Sequence, residues 1–420
     1  MTTCDTPQQR AISRDGFFRR TILRALSGMQ RGRLTIELPD GGLEVLGDGI
    51  GVHGFDGHAT IRIRDERFFR RCFFYGDIGL AEAFIHGDWE TDDIAAVISW
   101  FVLNADQSPS QSASGRRFGA VEMLGWLNRL RHRIRLNTVR GSRKNIADHY
   151  DLSNDFFALF LDPTMTYSSA FFTSEDQTLE SAQMEKYDRL CKKLRLRASD
   201  HVLEIGGGWG GFSRYAVQTY GCKVTTTTIS KAQFDYASAK NAELGFSERI
   251  ELLQLDYRKL SGRYDKIVSI EMLESVGHEF LETYFAKCHE LLTPEGVLAI
   301  QVITCADNRY DKLRKGVDFI QKHIFPGSLI LSMAAINRAI NRTGDLFLHD
   351  MEDMGTSYAR TLGCWHQAFN ERLAEVRKLG FDERFVRIWN YYLAYCQAAF
   401  AMRHNSVVQA VYTRANNYSL

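Results

Sequence analysis

The chain has 420 residues, 45% hydrophobic and 25% charged, with a formal net charge of +1; this is ordinary globular usage, long enough for two or three domains, with no global pull towards nucleic acid. Its eight cysteines are scattered, with no Cys-x-x-Cys pair and no cysteine–histidine spacing of a zinc site, so no metal is expected and they read as reduced thiols in a cytoplasmic protein. The opening MTTCDTPQQR has no apolar core of a signal peptide, and apolar windows such as 95–103 fall short of the ~20 residues that span a bilayer, so a soluble protein is expected.

Residues 1–104 read as a smaller α+β unit. Thr35 to Leu38, Leu43 to Leu46 and Ala59 to Ile63 alternate as short strands, punctuated by glycines between positions 41 and 57. Helical stretches follow around Leu80 to Ile85 and Asp93 to Leu103. There is no phosphate loop and no catalytic constellation, which leaves lipid presentation or dimerisation, as a homodimer, for this unit.

A second segment, 105–145, begins as a Ser-rich linker from Ala105 to Gly115. Behind it Arg116, Arg117, Arg129, Arg131, Arg133, Arg135, Arg140, Arg143 and Lys144 face one acid, Glu122, with Phe118, Leu124, Trp126, Leu127 and Leu130 interleaved at mostly helical spacing. Such a basic amphipathic helix suits an anionic membrane surface. It equally suits a domain-bridging helix with solvated arginines and an apolar stripe turned to a core.

The third segment, 146–420, carries the clearest pattern. Val202 to Ile205 is an apolar strand that runs into Gly206-Gly207-Gly208-Trp209-Gly210-Gly211, with a helical pattern from about Phe212 to Tyr220. Glycines at such a turn tolerate positive φ and let backbone N–H groups approach a ligand. Glu204, two positions before the first glycine, suits a ligand with a cationic amino-acid tail, and S-adenosylmethionine is such a ligand. Further strands are expected over Cys222 to Ile229, Ile250 to Leu255, Tyr264 to Ile270 and Gly296 to Thr304, with Ser230 to Gln233 as a capping box and a helix from about Phe280 to Leu292. Strands alternating with helices imply an α/β fold, a doubly wound, mostly parallel Rossmann-like sheet that binds ligands at the carboxyl ends of its strands. Glu204, Thr228, Asp256 and Glu274 fall near such ends.

Other blocks carry a family resemblance. They are His149-Tyr150-Asp151-Leu152-Ser153-Asn154-Asp155-Phe156, the Leu161-Asp162-Pro163 to Tyr167-Ser168 turn, the glycine loop with Trp209, Thr228-Ile229-Ser230-Lys231-Ala232-Gln233, Glu274 with Val276-Gly277, Ile324-Phe325-Pro326-Gly327, and Tyr391-Tyr392-Leu393 leading to Cys396. In this order the chain resembles the cyclopropane-fatty-acid synthase and mycolic-acid methyltransferase family. The resemblance implies a class I methyltransferase domain that takes S-adenosylmethionine, the smaller N-terminal domain beside it, and unsaturated phospholipid acyl chains as substrate. A cytoplasmic protein held peripherally on membranes is the corresponding expectation.

Position by position, the resemblance implies that Tyr150, Tyr167 and Ser168 contact the cofactor beside Glu204, Gly206, Gly208, Trp209 and Gly210. Thr228 and Gln233 would meet its ribose region, and Asp256, Tyr257 and Arg258 its adenine. The implied chemistry is attack of an alkene on a sulfonium methyl, after which the carbocation needs an aromatic lining and a base. A bound bicarbonate is the family's base, in a site that here falls on Glu274, Tyr358, Ile303, Ser169 in place of a cysteine and Gln301 in place of a histidine. Gln301 donates a hydrogen bond but carries no charge at neutral pH, which leaves two products open. Loss of a proton from the new methyl closes a cyclopropane; loss from a chain carbon leaves a methyl branch beside a double bond. Cys396 occupies the family's active-site cysteine position, although alkene methylation needs no thiol and a free cysteine is most often a small core residue. A methyltransferase for small molecules and a lipid-binding pseudoenzyme are the two other classes that the residues admit.

Overall fold

The computed structural model describes residues 7–105 and 152–418, with side chains from residue 16 onward. The basic segment 116–144, nearly all of the linker and Tyr150 lie outside the described residues. The chain divides into two compact units, 1–131 with 318–323 and 380–404, and 132–317 with 324–379 and 405–420. The block expected to run unbroken over 146–420 therefore lends two segments to the first unit.

In the first unit β1 (Arg33–Glu37), β2 (Leu43–Leu46), β3 (His58–Ile63) and β4 (Trp89–Glu90) form a sheet in the order β2-β1-β3-β4. The β1–β3 pair is parallel and the other two pairs are antiparallel. Alternation buries Leu34, Ile36, Ala59, Ile61 and Ile63 on one face. Helix Arg67–Ile85 breaks at Gly76, whose φ of 57° and ψ of −125° are open to glycine but not to a continuing helix. Helix Ile94–Leu103, capped by Asp93, buries Ile94, Val97, Ile98 and Trp100. It packs on helix Glu383–Ala401, which comes from the far end of the chain.

The second unit is built on β5 (His201–Ile205), β6 (Lys223–Thr227), β7 (Ile250–Leu253), β8 (Tyr264–Ile270), β9 (Leu292–Cys305), β10 (Leu346–Asp353) and β11 (Asn405–Arg414). Their order is β10-β11-β9-β8-β5-β6-β7, with β11 antiparallel to both neighbours and the remaining pairs parallel. Both faces are covered, as a parallel sheet requires. On β5, Val202 joins a core with Leu190, Phe212 and Val217, whereas Leu203 and Ile205 join the opposite core with Phe285, Leu291 and Ile336. The expected doubly wound α/β sheet is the one observed. Its reversal of strand order lies at β5 and β8, and the loops leaving these two strands are where a ligand site is expected.

Candidate active site

The loop after β5 is pinned to β6 by its first two amides, with Gly206 N–H and Gly207 N–H both donating to the Thr227 carbonyl, at 3.0 and 2.9 Å. Gly206, Gly208 and Gly210 adopt φ of 88°, 55° and 84°. Their surroundings differ. A Cβ on Gly206 would lie 2.6 Å from Met272, and one on Gly207 2.0 Å from the Thr226 hydroxyl, whereas one on Gly208 would meet nothing within 4 Å. The first two glycines serve packing, and the third faces open space of the kind a cofactor needs.

Glu204 is buried beneath this loop and accepts a hydrogen bond from Thr226 Oγ1 at 2.6 Å. Burial pushes its carboxyl up to about 7, against the pull of Thr226 and Arg214, so a cation arriving at the loop would be electrostatically welcome. Trp209 donates from Nε1 to Asn154 Oδ1 at 2.8 Å and packs its ring 5.0 Å from Phe157. The His-Tyr-Asp block is thereby tied to the glycine loop through its helix Asn154–Ala158.

The other residues expected at the cofactor are held by neighbours. Tyr167 stacks obliquely with Trp365 at 5.2 Å and meets Phe157 at 5.2 Å and Phe325 at 6.3 Å. Ser168 is buried and accepts from Lys186 Nζ at 2.8 Å. Thr228 donates to Gln233 Oε1 at 2.8 Å and accepts from Ser230 N–H. The expected capping box is therefore half formed: Ser230 caps Gln233 N–H, but the Gln233 side chain turns to Thr228. Asp256 grips Arg258 through both carboxylate oxygens, at 2.7 and 2.8 Å, and the guanidinium lies 5.3 Å from the Tyr257 ring.

The turn after β8 holds the residue that the sequence did not disclose. Glu271 is a non-glycine at φ 48°, a conformation that costs such a residue about 1–3 kcal/mol and is found where the surroundings enforce it. Its backbone N–H donates to the Gln301 carbonyl at 2.7 Å. Its half-buried carboxylate accepts at Oε1 from Ser169 N–H at 2.9 Å and from Gln301 Nε2 at 2.7 Å, and the Tyr358 hydroxyl also hydrogen-bonds it. Gln301 is oriented in turn. Gln409 of β11 donates to its Oε1 at 3.1 Å, and Lys193 donates to Gln409 Oε1 at 3.1 Å.

Glu274 lies three residues on. It accepts from Ile303 N–H, while its Oε2 is buried and without a partner. Burial, and then the neighbouring Glu271 charge, push the Glu274 carboxyl up to about 8. Burial also raises Glu271, opposed by Gln301, Lys186, Ser169 N–H and Tyr358. With three donors against one, Glu271 is the better placed of the two to hold negative charge at neutral pH.

Five of the expected catalytic residues, Ser169, Glu274, Gln301, Ile303 and Tyr358, are thus brought together. Cys396 lies on helix Glu383–Ala401 in the first unit, where burial pushes its thiol well above the ordinary value and leaves no thiolate. Glu271, Gln409 and Lys186 were missed by the sequence reading. The available signal was an acid directly after an apolar strand.

A model of the mycolic acid cyclopropane synthetase family matches residues 138–410. The chain is 36% identical to a tuberculostearic acid methyltransferase of Mycobacterium tuberculosis, over 82% of this chain and 81% of the relative. It is 33% identical to the cyclopropane-fatty-acyl-phospholipid synthase of Escherichia coli, over 87% and 90% of the two chains. Among solved structures, a cyclopropane synthase of Mycobacterium tuberculosis superposes with a TM-score of 0.61 at 32% identity, covering 65% of this chain and 98% of its own. A mycolic acid cyclopropane synthase solved with SAH and CTAB gives 0.60 at 30% identity, with coverage of 65% and 98%.

Proposed function

The chain belongs to the mycolic acid cyclopropane synthetase family, and from that premise we propose that it is a lipid-modifying enzyme that methylates a double bond of an unsaturated acyl chain on a phospholipid and closes a cyclopropane there. It is an S-adenosylmethionine-dependent methyltransferase acting on lipid acyl chains. The phospholipid carrier and the ring are the parts proposed. The observation that carries the reading is the meeting of two loops: Gly206 packs on Met272, so the open glycine loop is contiguous with the buried acid turn 271–274.

When bound at the glycine loop, S-adenosylmethionine supplies an electrophilic methyl to the alkene π pair. In this proposal Gly206, Gly208, Gly210 and Trp209 present the loop backbone, with Glu204 beneath it for the ammonium. Tyr167, Ser168, Thr228, Gln233, Asp256, Tyr257 and Arg258 complete the site. The aromatic faces of Tyr167 and Trp365, with Phe325 beside them, suit a carbocation, each worth about 0.5–2 kcal/mol. Tyr358 joins this group to the acid turn, its ring 6.1 Å from Trp365. The basic segment 116–144 is the proposed contact with anionic membrane, although among the described residues no helix is long and apolar enough to cross one.

A second product reading has its own support. Gln301 carries no charge, and one relative is named a methyltransferase rather than a cyclopropane synthase, so a methyl-branched unsaturated chain is the alternative. Feeding trideuteromethyl methionine to cells that express the protein, then analysing phospholipid fatty acids by mass spectrometry, tests both. Ring closure leaves two deuteriums and no reactive double bond; a methyl branch keeps three and a double bond. Absence of label from the acyl chains would sink the reading altogether.

A further inference from the structure

The donors that converge on Glu271 are those that a small bound anion would need. Ser169 N–H, Gln301 Nε2–H and the Tyr358 hydroxyl all point to one carboxylate. Two of these, Ser169 N–H and Gln301, come from separate parts of the chain, 102 and 30 residues away. Gln409 and Lys193 fix the Gln301 amide so that its N–H₂ side faces Glu271. Residue 271 meets them from a left-handed backbone, at φ 48°. A carboxyl that merely anchored a turn would be equally served by backbone amides and would not require a buried charge beside a second acid. The resemblance places a bicarbonate among Ser169, Gln301, Tyr358, Glu274 and Ile303, yet those donors are already engaged.

We propose that Glu271 is the proton acceptor of the reaction, its carboxylate filling from within the chain the site where a free anion would otherwise be needed. This rests on the acyl-chain methylation proposed above. In that reaction an alkene carbon bonds to the methyl carbon as the S–C bond breaks, the S–C pair stays on sulfur, and the neighbouring alkene carbon becomes cationic. A C–H bond then breaks. Its electron pair closes the ring and its proton goes to the Glu271 carboxylate, which becomes a neutral carboxylic acid. Glu274, with Oε2 buried and unpartnered, provides the adjoining carboxyl, protonated at neutral pH, and so does not compete for the role.

The test uses the full chain with dioleoyl-phosphatidylglycerol vesicles and S-adenosylmethionine, in buffer freed of bicarbonate and then resupplied. Wild type should turn over equally in both. Glu271→Gln should lose ~10²-fold or more, as positioned bases do, and no anion should restore it, because the amide still fills the space. Glu271→Gly relieves the positive φ and empties the pocket; it should lose as much but regain at least ~10-fold with bicarbonate or formate. Calorimetric affinity for S-adenosylmethionine should be unchanged in both variants. As a readout independent of turnover, ¹³C-bicarbonate NMR should detect binding to Glu271→Gly and none to wild type. A wild type that needs bicarbonate, or binds it in this pocket, overturns the proposal, as does a Glu271→Gly variant fully active without any anion. Should wild type bind S-adenosylmethionine yet leave the vesicle lipid unmethylated, the acyl-chain reading is what fails, and the NMR comparison still decides whether Glu271 occupies the anion site.

Discussion

The loop after β5 and the turn after β8 sit at the same level of the same sheet and both contain positive φ, yet they are built on opposite principles. After β5 the unusual conformation falls on glycines, where it costs little, and the result is space. After β8 it falls on Glu271, where it costs strain, and the result is a half-buried carboxylate with donors around it. One end of the sheet is shaped by side chains left out and the other by a side chain forced in. Open space and a hydrogen-bonded acid are thereby supplied by neighbouring strands.

The contrast is broken most severely at the glycines. Gly208→Val should weaken S-adenosylmethionine binding by more than ~100-fold in calorimetry, because its side chain would occupy the open space, while stability in urea falls only by the strain of a left-handed residue, about 1–2 kcal/mol. Gly206→Val should instead lose the fold, since its side chain must enter Met272. A well-folded Gly206→Val with weak binding would erase the distinction between the two glycines.

At the acid turn the effect is smaller and depends on pH. Glu274 has a folded-state value near 8 against an ordinary 4.5, so between these limits the folded chain holds a proton that the unfolded chain has released. Its contribution to stability is full at low pH and is lost as pH rises towards 8, at on the order of 1 kcal/mol per pH unit. Glu274→Gln cannot ionise. Urea midpoints of wild type and variant should therefore diverge from pH 5 to pH 8 in favour of the variant, and parallel curves would show that Glu274 is not buried as a neutral acid. The smallest effect belongs to a residue outside both loops: Cys396→Ala should keep turnover within about twofold, and a large loss would return the thiol to the chemistry.

The glycine loop was legible because its composition is its mechanism: six positions, five of them glycine, after an apolar strand. The strands β5 to β9 were legible as well, β5, β7, β8 and β9 from their apolar runs and β6 from its β-branched KVTTT. Glu271 was not. A single glutamate after a strand reads as an ordinary solvated acid until Ser169 and Gln301, distant in sequence, are brought to it. β10 was missed because an edge strand with the sequence LFLHDMED is largely exposed and carries no burial pattern. The division of the chain was missed because the alternation within helix Glu383–Ala401 says that it is buried, but not in which unit.

That division has a consequence for how the molecule is made. Helix Ile94–Leu103 leaves the ribosome with Val97, Ile98 and Trp100 ready for burial, but the helix it packs on, Glu383–Ala401, emerges only about 280 residues later. At ~5–20 residues per second the nascent first unit waits for tens of seconds with an apolar surface uncovered. Until residues 383–401 have been made, that surface is open to chaperones and to misassembly.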